Sequence, residues 1–529
     1  MATARCVSTP LLAGLGVALL GGCTVGPDYR PRSAAELGVP ATYSVATAAR
    51  RPGDTASTLV VQPTREDLSR WWTKFNDPLL ASLVDRAAAQ NLDLVASIAQ
   101  LRQAREALTQ SRGNLYPTIS GNTGYNRSQN LVGGGSTVTL PDGTSTSISR
   151  GNGDSFSVGL SASYQVGLFG EIRRTVEATR AQYEAAGYNQ AAVLVATEAE
   201  VARNYVLVRL AQSQLANARD SVRLLDDNLE IAGYRVQAGL VSSLDREQAR
   251  SQRAQTAAQI PSLESQYQQA IARLGVLTGQ APGALRDELA AVQPIPTGPR
   301  VVDAGIPADT LRQRPDVLAA ERTLAAATAR IGVAKAALYP AFAITGNINT
   351  NATSLGNIGN AITGGLFAGL TQAIFNGGRL RSVVRNNEAI AQGALATYQR
   401  TVLVALEEVE NAIVALRTAQ AREREFTVAL DAADATALLG RLQYRNGLTD
   451  FVTLNTAESS LLGARNGIAQ ARADQATALI QLYNALGGGW HATTVPTAPA
   501  AVPFTQTPAA TIGGTAATNP TTPASRQDN

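Results

Sequence analysis

The chain has 529 residues, with 45 Lys and Arg against 41 Asp and Glu and a formal net charge of +4. So small an imbalance over this length gives no basis for nucleic-acid binding. One His, one Met and two Cys leave almost no room for imidazole or thioether metal sites, or for Ser-His-Asp and Cys-His catalysis. With no metal-ligand spacing and no phosphate loop either, an enzyme with a bound metal or cofactor is not expected.

The chain opens on Arg5 and an apolar run from Leu11 to Leu20, followed by Leu20-Gly21-Gly22-Cys23. The run is too short to span a bilayer and reads as a signal peptide, 1–22. The tetrapeptide resembles a bacterial lipobox. That likeness implies lipidation at Cys23, with an S-diacylglycerol and an N-palmitoyl group. Thr24 rather than Asp after the Cys implies outer-membrane anchoring. Cys6 falls within the removed segment, so the mature chain has no internal disulfide. Residues 23–77 form a tether: a Pro/Thr/Ala/Arg-rich stretch to about Pro63 shows no helical or strand period. Order begins near Trp71-Trp72, and Asn76-Asp77-Pro78 has the form of a helix start, Asp capping and Pro first.

Residues 79–115 read as one helix, ended by Pro117. The period then changes. Phe156, Val158, Leu160, Ala162, Tyr164 and Val166 alternate with small polar residues, which predicts a strand apolar on one face only. Its length suits a tilted membrane-crossing strand, for which about 9–11 residues suffice. Residues 118–127 form a partner strand, and 128–153, full of Gly, Ser, Thr and Asn, read as a solvent loop. Glu171 to about Val236 is a proline-free helix of roughly 100 Å at 1.5 Å per residue. It turns at Gly239 and returns through a helix ending at Gly279.

The second half repeats the first. Leu115-Tyr116-Pro117 returns as Leu338-Tyr339-Pro340, Gly239-Leu240 as Gly447-Leu448, and Gly279 as Gly487. The reading is an internal duplication: first repeat 78–280, linker 281–304, second repeat 305–489. The second repeat has a helix over 316–338, strands at Phe342–Ile348 and Leu366–Phe375, a long helix from Arg379 to Arg445 and a return to Gly487. Val402, Leu406, Val409, Ile413 and Leu416 step by four and three as a coiled-coil seam. The Ala/Thr/Pro-rich tail 490–529 reads as disordered, with His491 at its start non-functional. Four strands cannot close a barrel and open edges do not survive in lipid, whereas three chains supply twelve.

The chain resembles the TolC-like outer-membrane factors, in particular the lipoprotein (NodT-type) branch that partners resistance-nodulation-division efflux pumps. The matching residues are Val25-Gly26-Pro27-Asp28-Tyr29, Trp71-Trp72 through Pro78, and Arg314-Pro315-Asp316-Val317. Further matches are Ile331-Gly332-Val333-Ala334 and Phe375-Asn376-Gly377-Gly378-Arg379. The resemblance implies an α+β membrane protein: a trimeric 12-stranded transmembrane β-barrel continuing into a periplasmic α-helical coiled-coil barrel. It implies a passive export duct for small molecules, partnered by a periplasmic adaptor and an inner-membrane pump. It also implies a periplasmic gate at Asp245, Tyr444, Arg445 and Val452, with helix-tip turns and adaptor contact at Gly239 and Gly447. Two departures stand out. Gln165-Val166-Gly167 lacks the acidic residues usual at the strand-to-helix junction, and Thr456 stands where some relatives carry a gate Asp. A duct for type I protein secretion, and a periplasmic coiled-coil lipoprotein acting as a scaffold, are the alternative readings.

Overall fold

The computed structural model describes residues 24–44, 59–60, 67–129, 135–139, 141, 143–149, 153–299, 302–303, 307–491 and 496–497. Cys23, the signal segment and nearly all of the tail lie outside the described residues. Residues 24–44 are not a free tether. They lie against the long helices, with Tyr43 buried, the Val25 amide donating to the Phe169 carbonyl and Ser44 donating to Glu410. Leu59–Val60 (β1) follows, then a 3-10 turn at Trp71–Phe75 that buries both tryptophans.

Asp77 caps the next helix, Pro78–Gln90 (α1), accepting from the Leu79 and Leu80 amides. The expected single helix over 79–115 is in fact two. Asn91 adopts an extended backbone, ends α1 and caps Leu92–Gly113 (α2) through the Leu94 amide. An Asn that can bond the backbone locally competes with helix continuation. Thr118–Ser128 (β2) and Gly153–Val166 (β5) pair antiparallel. The loop between them is not plain loop: it carries a small hairpin, Gly135–Thr139 (β3) with Ser145–Ser149 (β4).

Glu171–Gln237 (α3) is the first long helix, 67 residues. Its return was expected as one helix but is broken at Ala258 into Ser243–Ala257 (α4) and Gln259–Leu277 (α5). Pro261 explains the break, since it has no N–H and crowds the carbonyl of the preceding turn. The linker adds Val302–Asp303 (β6), parallel to β1, and Leu285, Leu289 and Ile295 to the core. Pro307–Gln313 (α6) and Pro315–Ala336 (α7) precede Ala341–Ala352 (β7). The fourth main strand is Ile362–Thr371 (β8), not Leu366–Phe375. The second long helix, Arg379–Arg445 (α8), also has 67 residues, and its return, Phe451–Ala485 (α9), is unbroken.

The two halves are joined to themselves in the same way. The Asn91 side chain donates to the Leu277 carbonyl at 2.9 Å, and Arg314 donates to the Ala485 carbonyl at 3.1 Å. Gly279 and Gly487, both at positive φ, press against Gln90 and Gln313, where a Cβ would lie 2.4 and 2.9 Å from backbone atoms. Midway along the long helices, the main core gathers around Trp71, which stacks on Tyr483 with centroids 5.6 Å apart. Val402, Val409, Ile413 and Leu416 are buried as the seam requires.

Candidate channel wall and gate

The main sheet runs β2-β5-β7-β8, with both hairpins joined through β5 and β7. Directly paired residues share a face, so the register sorts the side chains without ambiguity. Ile119, Tyr125, Phe156, Val158, Leu160 and Ala162 lie on one face with Ile344, Ile348, Leu366 and Leu370. Ser120, Asn122, Ser157, Ser161, Ser163, Thr345, Asn347 and Asn349 lie on the other. The large apolar side chain on that polar face is Phe367, paired with Thr345 and folded over Gly369.

The apolar face is exposed in the protomer, Leu160 at 58% and Leu366 at 83%. Leaving it in water would be costly. Its far end is closed by Tyr125, whose ring packs at a tilt against Phe156 with centroids 5.0 Å apart and whose hydroxyl donates to Asp154 at 2.9 Å. At the helical end Phe169 and Tyr339 stack at 4.7 Å. Aromatic residues at both limits of an apolar band are what a lipid-facing strand surface carries. No helix among the described residues is long and apolar enough to cross a membrane. At the junction with α3, Gln165 donates to Glu171 at 3.5 Å, so a carboxylate is present there although the strand itself supplies none.

At the opposite end, Gly239 and Gly447 each adopt φ of 71°, and the Leu240 and Leu448 amides reach back to the Arg235 and Gln443 carbonyls. These are left-handed helix closures that favour Gly. Ser242 and Asp450 then cap α4 and α9. Tyr444 is buried among Ala232, Ala249, Phe451 and Leu454. Its hydroxyl has no hydrogen-bond partner of ordinary geometry among the described residues. Burial pushes that hydroxyl above its usual value, Arg235 opposes the rise and Asp245 adds to it. Arg445 is exposed, without a described partner, and Val452 is exposed with its carbonyl accepting from Thr456 at 2.8 Å. Within the protomer, then, Asp245 and Tyr444 are neighbours, while Arg445 and Val452 face outward.

The sequence reading missed Arg235. Its guanidinium lies over the Tyr444 ring, 4.7 Å from the centroid, and donates to the Tyr444 carbonyl at 2.9 Å. The repeat held a signal for it, because the equivalent position in the second half is Gln443. Arg441 was missed as well; it pairs with buried Glu458 across α8 and α9.

The model of the family described as outer membrane efflux protein matches residues 83–280 and 306–488, both halves of this architecture. The chain belongs to the outer membrane efflux protein family. As such it is the outer-membrane component of an efflux system, and it extends into the periplasm. Nodulation protein T of Rhizobium leguminosarum bv. trifolii is 31% identical over 487 residues, spanning 89% of this chain and 96% of that protein. The toluene efflux pump outer membrane protein TtgI of Pseudomonas putida is 29% identical over 486 residues, spanning 91% and 98%. The solved outer-membrane channel OprN superposes with a TM-score of 0.77 at 31% identity, covering 88% of this chain and all of that one. In this outer membrane efflux protein the exposed apolar sheet face has the character of a lipid-facing strand surface.

Proposed function

We propose that three copies of the chain close a twelve-stranded barrel above a helical tunnel, forming a passive duct that exports small molecules. The observation that carries this reading is the four-stranded sheet. It has one apolar and one polar face, and its β2 and β8 edges are left unpaired in the protomer. Lipid tolerates no open edge, so the edges must pair with those of other copies. The equivalent contacts at Asn91 and Arg314 support an origin by duplication. The relative named for toluene efflux supports small-molecule cargo over protein secretion.

In this reading a periplasmic adaptor and an inner-membrane resistance-nodulation-division pump engage the tips near Gly239 and Gly447 and supply the energy. Asp245, Tyr444, Arg445 and Val452 lie where a closed state would be held. Cys23 carries the diacylglyceryl and palmitoyl groups, anchoring the N-terminus with more acyl chain than a single reversible anchor provides. Native mass measurement in detergent should give a trimer that conducts in planar bilayers. A stable monomer with full strand content would contradict the barrel. Fatty-acid labelling should mark the wild type but not Cys23→Ser.

A further inference from the structure

We infer that the exterior of the molecule carries, at the helical end of the sheet, a belt of bases that binds the headgroups of anionic phospholipids. The inference rests on the barrel reading, in which the apolar sheet face meets lipid, and adds which lipid lies beside its periplasmic rim. The belt is built twice, once in each repeat. Arg112 lies in the last turn of α2 and Lys335 in the last turn of α7. Arg173 and Arg381 are each the third residue of a long helix, α3 and α8. Both pairs occupy equivalent positions of the duplication.

The side of the wall to which they belong follows from Gln165. It lies on the polar face of β5 with Ser161 and Ser163, and it donates to Glu171 at 3.5 Å, so Glu171 begins α3 on the polar side. At 3.6 residues per turn Arg173, two residues on, projects about 200° round the helix, toward the side of the apolar face. Arg173 is exposed there although α3 packs against both α2 and α7 of its own chain. Its helical neighbours are therefore already in place within one protomer.

From the sheet toward the helices the chain changes character in a fixed order. Beyond the apolar strand face come Tyr116 and Tyr339, both exposed and again equivalent in the two repeats. The bases follow about one turn further on. Apolar band, aromatic rim and cationic rim match hydrocarbon, interface and headgroup, and the long Lys and Arg stems reach phosphate from such positions. Arg112, Arg173 and Arg381 are exposed and have no ion-pair partner among the described residues, whereas Lys335 is held by Glu388 at 3.4 Å. Glu171 is the one carboxylate in these four helix turns. Unpaired cations beside an apolar surface favour an anionic headgroup over a zwitterionic one.

The test mixes the full-length trimer in detergent with phosphatidylglycerol or with phosphatidylcholine of the same acyl chains. Native mass measurement then reads how much of each lipid stays bound. The wild type should retain several-fold more phosphatidylglycerol, and added sodium chloride should erode the difference. Replacing Arg112, Arg173 and Arg381 together with Gln should reduce the preference several-fold, and replacing all three with Lys should preserve it. Arg173→Gln alone, at a position whose helical neighbours belong to one chain, should reduce it in part and decides the matter if the triple Gln variant forms no trimer. Equal retention of both lipids by the wild type, or an undiminished preference in the Gln variants, would overturn the inference. A wild type that forms no trimer would instead sink the barrel reading on which the inference stands.

Discussion

At the scale of single residues, the chain keeps one carboxyl where a carboxylate is poorly tolerated. Glu198 on α3 is buried, its Oε2 has no hydrogen-bond partner among the described residues, and a Cβ on Gly489 would collide with it. Burial, with the nearby Asp85 charge adding, pushes its pKa up to about 9. The folded chain therefore holds a proton that the unfolded chain releases above about pH 4.5. Stability must then fall as pH rises from about 4.5 to about 9 and level off beyond. At pH 7 the cost is on the order of 3 kcal/mol. Glu198→Gln should melt at a higher temperature than the wild type at pH 8 and at nearly the same temperature at pH 4. A pH-independent difference would assign the effect to packing instead. Such a residue leaves no mark in the sequence, because Glu198 sits in a helix where acidic residues are ordinary. Gly489, far away along the chain, is what presses on its carboxylate. Arg235 was hidden for a related reason: half of its bonding goes to a main-chain carbonyl, which no residue type announces.

At the scale of elements, the legible parts were those with punctuation or period. Both long helices start and stop within a residue or two of their expected ends, because Gly239 and Gly447 close them and no Pro interrupts. β5 declared itself by its alternation. The elements that were misread lack such signals. β8 begins with Ile362-Thr363-Gly364-Gly365, which reads as loop, while Thr371 to Phe375 reads as strand. The β3–β4 hairpin is built from Gly, Ser and Thr, and its order comes from pairing. The face assignment of the sheet has a direct test. Leu366→Arg puts a charge on the apolar face and should cost about 2–4 kcal/mol if that face meets the middle of the bilayer. Asn347→Arg, on the opposite face of the adjoining strand, should leave trimer yield nearly unchanged. The comparison is read from heat-stable trimer on gels and from the amount recovered in outer membranes. Equal loss in both would mean the two faces are not distinguished by lipid.

At the scale of the whole molecule, the N-terminal segment is a strap rather than a leash. Arg174, only 5% exposed through its side chain, holds Asp28 at 2.6 Å and Glu177 at 2.8 Å and donates to the Gly26 carbonyl at 3.4 Å. A Cβ on Gly26 would come within 2.5 Å of Gly332 on α7, so the strap crosses α7 in near backbone contact. Tyr29 then donates to Glu321, and Arg322 lies over its ring. The sequence showed the Val25-Gly26-Pro27-Asp28-Tyr29 motif but not this docking, since its partners come from both halves of the chain. Arg174→Ala should make residues 24–44 several-fold more sensitive to limited proteolysis. Fatty-acid labelling and trimer yield should persist. Unchanged sensitivity would mean that the strap is held by Tyr29, Leu37 and Tyr43 without the ion pairs.

That strap, with the β5–β7 pairing, fixes the order in which the chain can mature. Ser44 needs Glu410, Gly26 needs Gly332, and Phe156 to Val166 need Phe342 to Ala352. The first-synthesised third of the protein therefore finds its partners only after the second half has been delivered. Until then the β2–β5 hairpin has an apolar face and an unpaired edge, the features that invite aggregation. Contacts so distant along the chain also make for slow folding. Arrival of β7 covers the β5 edge, whereas the apolar face stays exposed in the finished protomer and needs a further surface to cover it.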